Sequence, residues 1–203
     1  MIILVTGFEP FTPHKVNPTE ELARALDGHR VGDAVVHSAV LPVHHAEAAP
    51  RVRELLERVR PHAILHLGLA GGRARLAVER VAVNVMDYAV PDNAGCVKSD
   101  EPCVVSGPVA YFATLPVRAI VDRMVAAGIP AYVSDTAGTY LCNQTLYTTL
   151  HALAGHTTCP RVGFIHVPLL PAMVAATGVD APSMDLPLMR RGVEIALDVI
   201  AAG

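Results

Sequence analysis

Short apolar runs alternate along this chain with longer stretches in which apolar residues recur three or four positions apart. Ile2 to Val5 is an unbroken aliphatic run and predicts a strand. Asn17-Pro18-Thr19-Glu20 then supplies a cap residue, a proline at the first helical position and an acid at the third, opening a helix to about Leu26. Ala34 to Leu41 predicts the next strand. Val52, Leu55, Leu56 and Val59 sit at helical spacing, and Pro61 ends that helix. Ala63 to Leu67 predicts a buried strand running into Gly68-Leu69-Ala70-Gly71-Gly72-Arg73. Val81 to Met86 alternates weakly and predicts another strand. Residues 87–114 are expected to be irregular, with P-D-N-A-G as the strongest turn signal. A second helix–strand–helix–strand–helix set follows. Its first helix carries Val117, Ile120, Val121, Met124 and Val125 and stops at Gly128 and Pro130. Next come a strand over Ala131 to Ser134, a helix through Leu146, Leu150 and Leu153, a strand in G-F-I-H-V-P, and a last helix from about Leu188 to Ile200.

Strands alternating with helices of this length predict an α/β protein: one domain over residues 1–203, with a largely parallel central sheet flanked by helices. Composition agrees, since 52% of the 203 residues are apolar and only 17% charged, which describes a packed core. A net charge of −3 with no basic cluster leaves no electrostatic footprint for nucleic acid. The N-terminal apolar run ends at Thr6-Gly7, too short for a signal peptide, and Pro, His or charge interrupts every apolar run before it could span a membrane. A soluble, cytoplasmic protein is expected.

The four cysteines, Cys96, Cys103, Cys142 and Cys159, form no C-x-x-C pair, so a disulfide framework is not expected. Cys159 reads as a small buried hydrophobe, and Cys96 and Cys103 as incidental thiols in a polar loop. Cys142 is different. It ends S-D-T-A-G-T-Y-L-C, after a strand and at the start of a helix, where free N–H groups and the helix dipole are expected to lower a thiol pKa and to hold an oxyanion. His166 interrupts an otherwise apolar strand, and Glu79 in A-V-E-R-V-A-V-N precedes another. Sites in open α/β sheets collect at the carboxyl ends of strands. Gly7 to Phe11, Gly68 to Arg73, Asp135 to Cys142, and His166 all fall there.

A nucleophile, a base and a carboxylate are the parts of a cysteine hydrolase. Each residue also has a structural reading: Cys142 as core, His166 as a hydrogen-bonded core histidine, Glu79 as a capping carboxylate. On that reading the fold could instead house a non-peptidase pocket, binding or transferring a group on a nucleoside-type small ligand. G-L-A-G-G-R lacks dinucleotide-fingerprint spacing and reads as a turn whose backbone can approach a small ligand. Adjacent His44 and His45, placed on a helix, would point to different faces, and His62 and His66 lack a third ligand. No metal site is expected.

Taken together, T-G-F-E-P-F, G-L-A-G-G-R with E-R beyond it, P-D-N-x-G, S-D-T-A-G-T-Y-L-C-N and G-F-I-H-V-P-L-L-P resemble pyroglutamyl peptidase type I, or pyrrolidone carboxyl peptidase, over nearly the whole chain. The resemblance implies a twisted central sheet, a catalytic triad of Cys142, His166 and Glu79, and removal of N-terminal pyroglutamate from peptides without metal or cofactor. It implies that Phe8 and Phe11 flank the lactam ring, that backbone groups near Leu69 pair with the lactam, and that Val90 and Leu141 add apolar wall. Such a pocket suits a small neutral lactam that has no free α-amine. Two positions depart from the family pattern: Leu69 stands where many relatives carry glutamine, and Ala89 where several carry arginine. No arginine is therefore assigned to the mechanism. The resemblance also implies a homodimer or homotetramer. The apolar composition, the segment from Asp87 to Thr114, and the apolar stretches Val167 to Val179 and Leu186 to Ile200 supply candidate contact surface.

Overall fold

The computed structural model describes residues 1–155 and 160–203; Cys159 lies outside them. In chain order the elements are β1 (Ile2–Phe8), α1 (Pro18–Leu26), β2 (Arg30–Val31), β3 (Ala34–Leu41), α2 (Ala48–Val59), β4 (Ala63–Leu69), β5 (Leu76–Glu79), β6 (Val81–Val83), β7 (Met86–Tyr88), β8 (Lys98–Glu101), β9 (Ala110–Phe112), α3 (Val117–Ala126), β10 (Ala131–Ser134), α4 (Leu141–Leu153), β11 (Arg161–Val167), α5 (Pro171–Thr177) and α6 (Leu186–Ala202). Seven strands among the described residues form the central sheet, in the order β10-β5-β11-β4-β1-β3-β2. Pairing is parallel except between β11 and β5 and between β2 and β3. The expected α/β fold with a largely parallel sheet and flanking helices is the observed one.

Alternation along the strands divides the core in two. Ile3 and Val5, Leu65 and Leu67, Leu76 and Val78, and Ile165 and Val167 face α1, α3 and α6. Leu4, Ile64, Val162 and Phe164 face α2 and α4. Because successive strand residues point to opposite faces, Glu79 on β5 and His166 on β11 are committed to the α4 side. Close approach of two backbones requires glycine at position 7. A Cβ on Gly7 would stand 1.9 Å from the Thr19 carbonyl, so only glycine lets the start of α1 lie against β1. Asn17 caps that helix as predicted, accepting from the Thr19 N–H at 3.0 Å.

Several boundaries differ from the sequence reading. β4 continues to Leu69, so Gly68 lies inside a strand. Glu79 ends a strand, β5, that the polar break at Arg73-Ala74-Arg75 had concealed. The predicted strand Val81 to Met86 is two strands, because the Asn143 side chain takes the peptide groups between them: Oδ1 accepts from Val83 N–H, and Nδ2 donates to the Val83 and Val85 carbonyls. Residues 87–114 are not wholly irregular. β8 pairs with β7, and β9 with β6. The Lys-Ser-Asp-Glu composition of β8 gave no apolar signal. α5 was also missed, and its only buried residue is Met173. The last helix does not offer the apolar surface expected of it, since Met189, Val193, Ala196, Leu197 and Ile200 are packed into the core.

Candidate active site

Cys142 is the second residue of α4, whose first main-chain bond runs from Gln144 N–H to the Tyr140 carbonyl. The amides of Leu141, Cys142 and Asn143 precede that bond and have no acceptor within the helix, as at any helix start. Beneath the thiol lies Gly68, where a Cβ would stand 2.8 Å from Cys142 Sγ and 2.6 Å from the Phe164 ring. A side chain at 68 would push the nucleophile off the sheet. Gly68 is in turn the β4 partner of His166 on β11. The glycine thus brings a helix-borne thiol down to the level of a strand-borne imidazole.

His166 is buried and its Nδ1 donates to Glu79 Oε1 at 2.7 Å. That bond fixes the tautomer that leaves Nε2 with its lone pair. Glu79 is fully buried and has a second partner that the sequence reading missed. Arg73 Nη1 donates to the same Oε1 at 2.7 Å, and Nη2 donates to the Thr136 carbonyl at 3.2 Å. Among the described residues Oε2 of Glu79 has no hydrogen-bond partner. Thr136 belongs to the loop leading to Cys142, so Arg73 links the carboxylate to the nucleophile's own segment. The signal available was Arg73 itself, ending G-L-A-G-G-R.

The electrostatics reverse one expectation. Burial, reinforced by the Glu79 carboxylate, pushes the Cys142 thiol up to about 12, against the opposing pull of Arg73 and of its own backbone amide. The helix start does not win, because desolvation of a thiolate outweighs a few N–H dipoles. His166 is shifted below its ordinary value by burial, with Glu79 opposing and Arg73 assisting. Thiol and imidazole are both neutral at rest, and they make no hydrogen bond to each other among the described residues. A neutral imidazole beside a neutral thiol can take its proton as attack occurs.

The thiol opens into a pocket lined by Phe8, Phe11, Asn17, Val43, Leu69, Tyr140, Leu141 and Cys142. Phe8, Phe11, Leu69 and Leu141 are thereby brought together with Cys142. Val90 is not in that lining and is half exposed on the loop after β7. Tyr140, Val43 and Asn17 were not foreseen. Tyr140 packs edge-on against Tyr88, with centroids 4.6 Å apart, and lies 6.1 Å from Phe11, completing an aromatic wall. Ala89 is exposed on the same loop.

Of the four histidines weighed as ligands, His62 and His66 take other roles. His62 Nδ1 accepts from the Ile2 N–H, and His66 is fully buried between the Thr6 and Thr149 hydroxyls, at 2.7 and 3.2 Å. His44 and His45 are not on a helix. They precede α2, their rings stack with centroids 5.4 Å apart, and donor atoms of both lie within 4.8 Å of an Asp92 carboxylate oxygen and of each other.

Comparison with known proteins places the chain among relatives of one family. The family model for pyroglutamyl peptidase matches residues 1–202. The pyrrolidone-carboxylate peptidase of Cupriavidus taiwanensis is 48% identical over 196 residues, covering 96% of this chain and 90% of that protein. The pyrrolidone-carboxylate peptidase of Pyrococcus furiosus is 44% identical over 202 residues, covering 98% and 97%. A crystal structure of a mutant pyrrolidone carboxyl peptidase from P. furiosus superposes with a TM-score of 0.96 at 42% identity, covering 100% of this chain and 99% of that one.

Proposed function

The chain belongs to the pyroglutamyl peptidase family, and from that premise we propose that Cys142, His166 and Glu79 carry its reaction. It is a cysteine peptidase that hydrolyses N-terminal pyroglutamate from peptides. The family match and these relatives favour that activity over a nucleoside-type ligand protein.

The pyroglutamyl ring enters between Phe8 and Phe11, with Tyr140, Leu141 and Val43 as walls and main-chain groups near Leu69 for the lactam N–H and carbonyl. Cys142 Sγ attacks the carbonyl of the pyroglutamyl residue as His166 Nε2 takes the thiol proton. The amides at the start of α4 receive the developing oxyanion. Glu79 holds the ring through Nδ1 and stabilises its cationic form. The imidazolium then protonates the leaving amine, and water, deprotonated by His166, releases pyroglutamate from the acyl-enzyme. No metal or cofactor enters these steps.

One observation carries the assignment: the 2.7 Å Glu79–His166 bond lies on the strand beside Gly68, over which the Cys142 thiol is seated at the mouth of an apolar pocket. The test is hydrolysis of a pyroglutamyl amide by wild type and Cys142→Ala. Loss of at least about a thousandfold in kcat with an unchanged circular dichroism spectrum is expected. Substantial residual turnover would overturn the assignment.

The chain works as a cytoplasmic homodimer or homotetramer in this reading. Among the described residues no helix is long and apolar enough to cross a membrane. Free Cys96, Cys103 and Cys142, and a reaction that depends on a reduced thiol, support a reducing compartment. Val105, Val109 and Phe112, on or just before β9, are 80%, 88% and 71% exposed, supporting burial of this strip against a second copy. A monodisperse mass near 21.5 kDa by light scattering would refute the assembly.

A further inference from the structure

A second thiol–imidazole–carboxylate arrangement stands apart from the first. Cys96 Sγ lies 3.8 Å from His45 Nε2, and His45 Nδ1 lies 2.9 Å from Asp92 Oδ2. Its three members come from the turn before α2 and from the P-D-N-A-G-C loop, neither of which supplies a member of the Cys142 triad. The carboxylate is held rigidly. Asp92 Oδ2 accepts from the His45 main-chain N–H and Oδ1 from the N–H groups of Ala94 and Cys96, at 2.9 to 3.0 Å. Burial alone would raise the Asp92 carboxyl, but these donors and the His45 ring outweigh it and bring it to about 2. An ionised Asp92 requires the proton on His45 Nδ1, so Nε2 turns its lone pair toward the Cys96 thiol.

A metal is the weaker reading of this cluster. His44 Nδ1 accepts from the Ala46 N–H at 3.2 Å, which places its proton on Nε2, and both Asp92 oxygens are already occupied. Only His45 Nε2 and Cys96 Sγ remain as free donors, too few for a closed tetrahedral shell. What remains is chemistry of the thiol. Cys96 is partly exposed, and its neighbours Ala94, Gly95 and Val97 are exposed. The charged and titratable groups around it are His45 with His44 stacked on it, Asp92, Lys98 with its partner Glu101, and Tyr88. The Val97 carbonyl, 3.5 Å from Sγ, is the competing acceptor for the thiol proton.

We infer that Cys96 is a modification site, a thiol activated by the His45–Asp92 pair for exchange with small disulfides of the glutathione type. His45 Nε2 takes the thiol proton, and Cys96 Sγ attacks one sulfur of the disulfide. The old S–S bond breaks as the protein–ligand S–S bond forms, and the departing thiolate takes the proton back from the imidazolium. One disulfide is consumed, and one mixed disulfide and one small thiol are made. Cys103 is the internal contrast. Its thiol donates to the Val83 and Val85 carbonyls, and burial pushes it up to about 11.

The experiment exposes the Cys142→Ala protein to oxidised glutathione at pH 7 and maps each cysteine by peptide mass. Cys96 is expected to react at least about tenfold faster than Cys103. His45→Ala and His45→Gln are expected to slow Cys96 about tenfold. Folding of both variants is checked by pyroglutamyl-amide turnover with Cys142 present. Equal rates at Cys96 and Cys103, or rates unchanged in folded His45 variants, would overturn the inference.

Discussion

Arg73 and His166 share one acceptor: both donate to Oε1 of Glu79, each at 2.7 Å. A carboxylate oxygen that serves a guanidinium as well as an imidazole gives the imidazole less of its charge. Arg73 consequently restrains the stabilisation that Glu79 offers to protonated His166 and, acting directly, lowers the pKa of both His166 and Cys142. The sequence reading assigned no arginine to this chemistry; the structure places one within reach of the carboxylate. Arg73→Met is expected to lower kcat about tenfold with little change in KM, because the guanidinium lies behind the carboxylate and is absent from the pocket lining. The distinguishing readout is pH. Without Arg73 the His166 pKa rises, so the acidic limb of kcat/KM moves to higher pH. Arg73→Lys should restore part of that shift. An acidic limb that stays in place in both variants would assign Arg73 a structural role only.

The wild-type pH profile follows from two shifts of opposite kind. His166 must be neutral to act as base, and burial lowers its pKa below 6.5. Activity is then lost only as the pH falls through that lowered value. The thiol, pushed up to about 12, contributes no ionisation near neutrality. The expected profile of kcat/KM for a pyroglutamyl amide has an acidic limb with its midpoint below 6.5 and a plateau from pH 7 to about 9. A midpoint above 6.5 would contradict the neutral resting pair.

How much of this was legible depended on whether the deciding interaction was local. Asn17-Pro18-Thr19-Glu20 announces its helix because capping is a matter of four consecutive residues. Cys142 stands out because it sits where a strand gives way to a helix, and His166 because it interrupts an apolar strand. Glu79 was singled out and the structure sets it against His166, but it was misplaced in its element, since β5 is four residues long and is defined by its partners β10 and β11. The break after Val83 depends on Asn143, sixty residues away. Val43 joins the site through folding alone, whereas Arg73 and Tyr140 lie in G-L-A-G-G-R and S-D-T-A-G-T-Y-L-C-N and only their contacts depend on folding. The lowered thiol pKa expected at a helix start failed for a similar reason: the burial that overrides it comes from the sheet below.

The pocket's composition sets what it refuses. Phe8, Phe11, Val43, Leu69, Tyr140 and Leu141 provide no counter-charge. An N-terminal glutamate would bring an ammonium and a carboxylate into this lining unpaired, and uncyclised glutamine an ammonium. Both are expected to be cleaved at least about a hundredfold more slowly than pyroglutamyl substrates in kcat/KM, each uncompensated charge costing several kcal/mol. Phe11→Ala should raise KM, whereas Val90→Ala, at a half-exposed position outside the lining, should leave kcat/KM within about twofold. Steady-state kinetics on matched amides decides; comparable rates on pyroglutamyl and glutaminyl substrates would mean the ring is not bound here.

His66 makes a separate prediction about stability. It lies on β4 in the face toward α4, fully buried. Thr149 Oγ1 donates to the Thr145 carbonyl at 2.7 Å and so accepts from His66 Nε2–H, leaving Nδ1 to accept from the Thr6 hydroxyl. Every polar atom of the ring is satisfied in the neutral form alone, and burial lowers its pKa from 6.5 to about 3. Below pH 6.5 the unfolded chain binds a proton here that the folded chain does not, so stability is fully present above 6.5 and is lost as the pH falls toward 3. The slope from this one group is about 1.4 kcal/mol per pH unit across that window. His166, also shifted downward, adds to the loss. Urea unfolding of wild type and His66→Gln at pH 7, 6, 5 and 4 separates the contributions. The variant should be less stable at pH 7, because Gln cannot span both threonines, yet its stability should fall less steeply on acidification. Parallel pH slopes for the two proteins would show that His66 is not the buried neutral group that the two hydroxyls require.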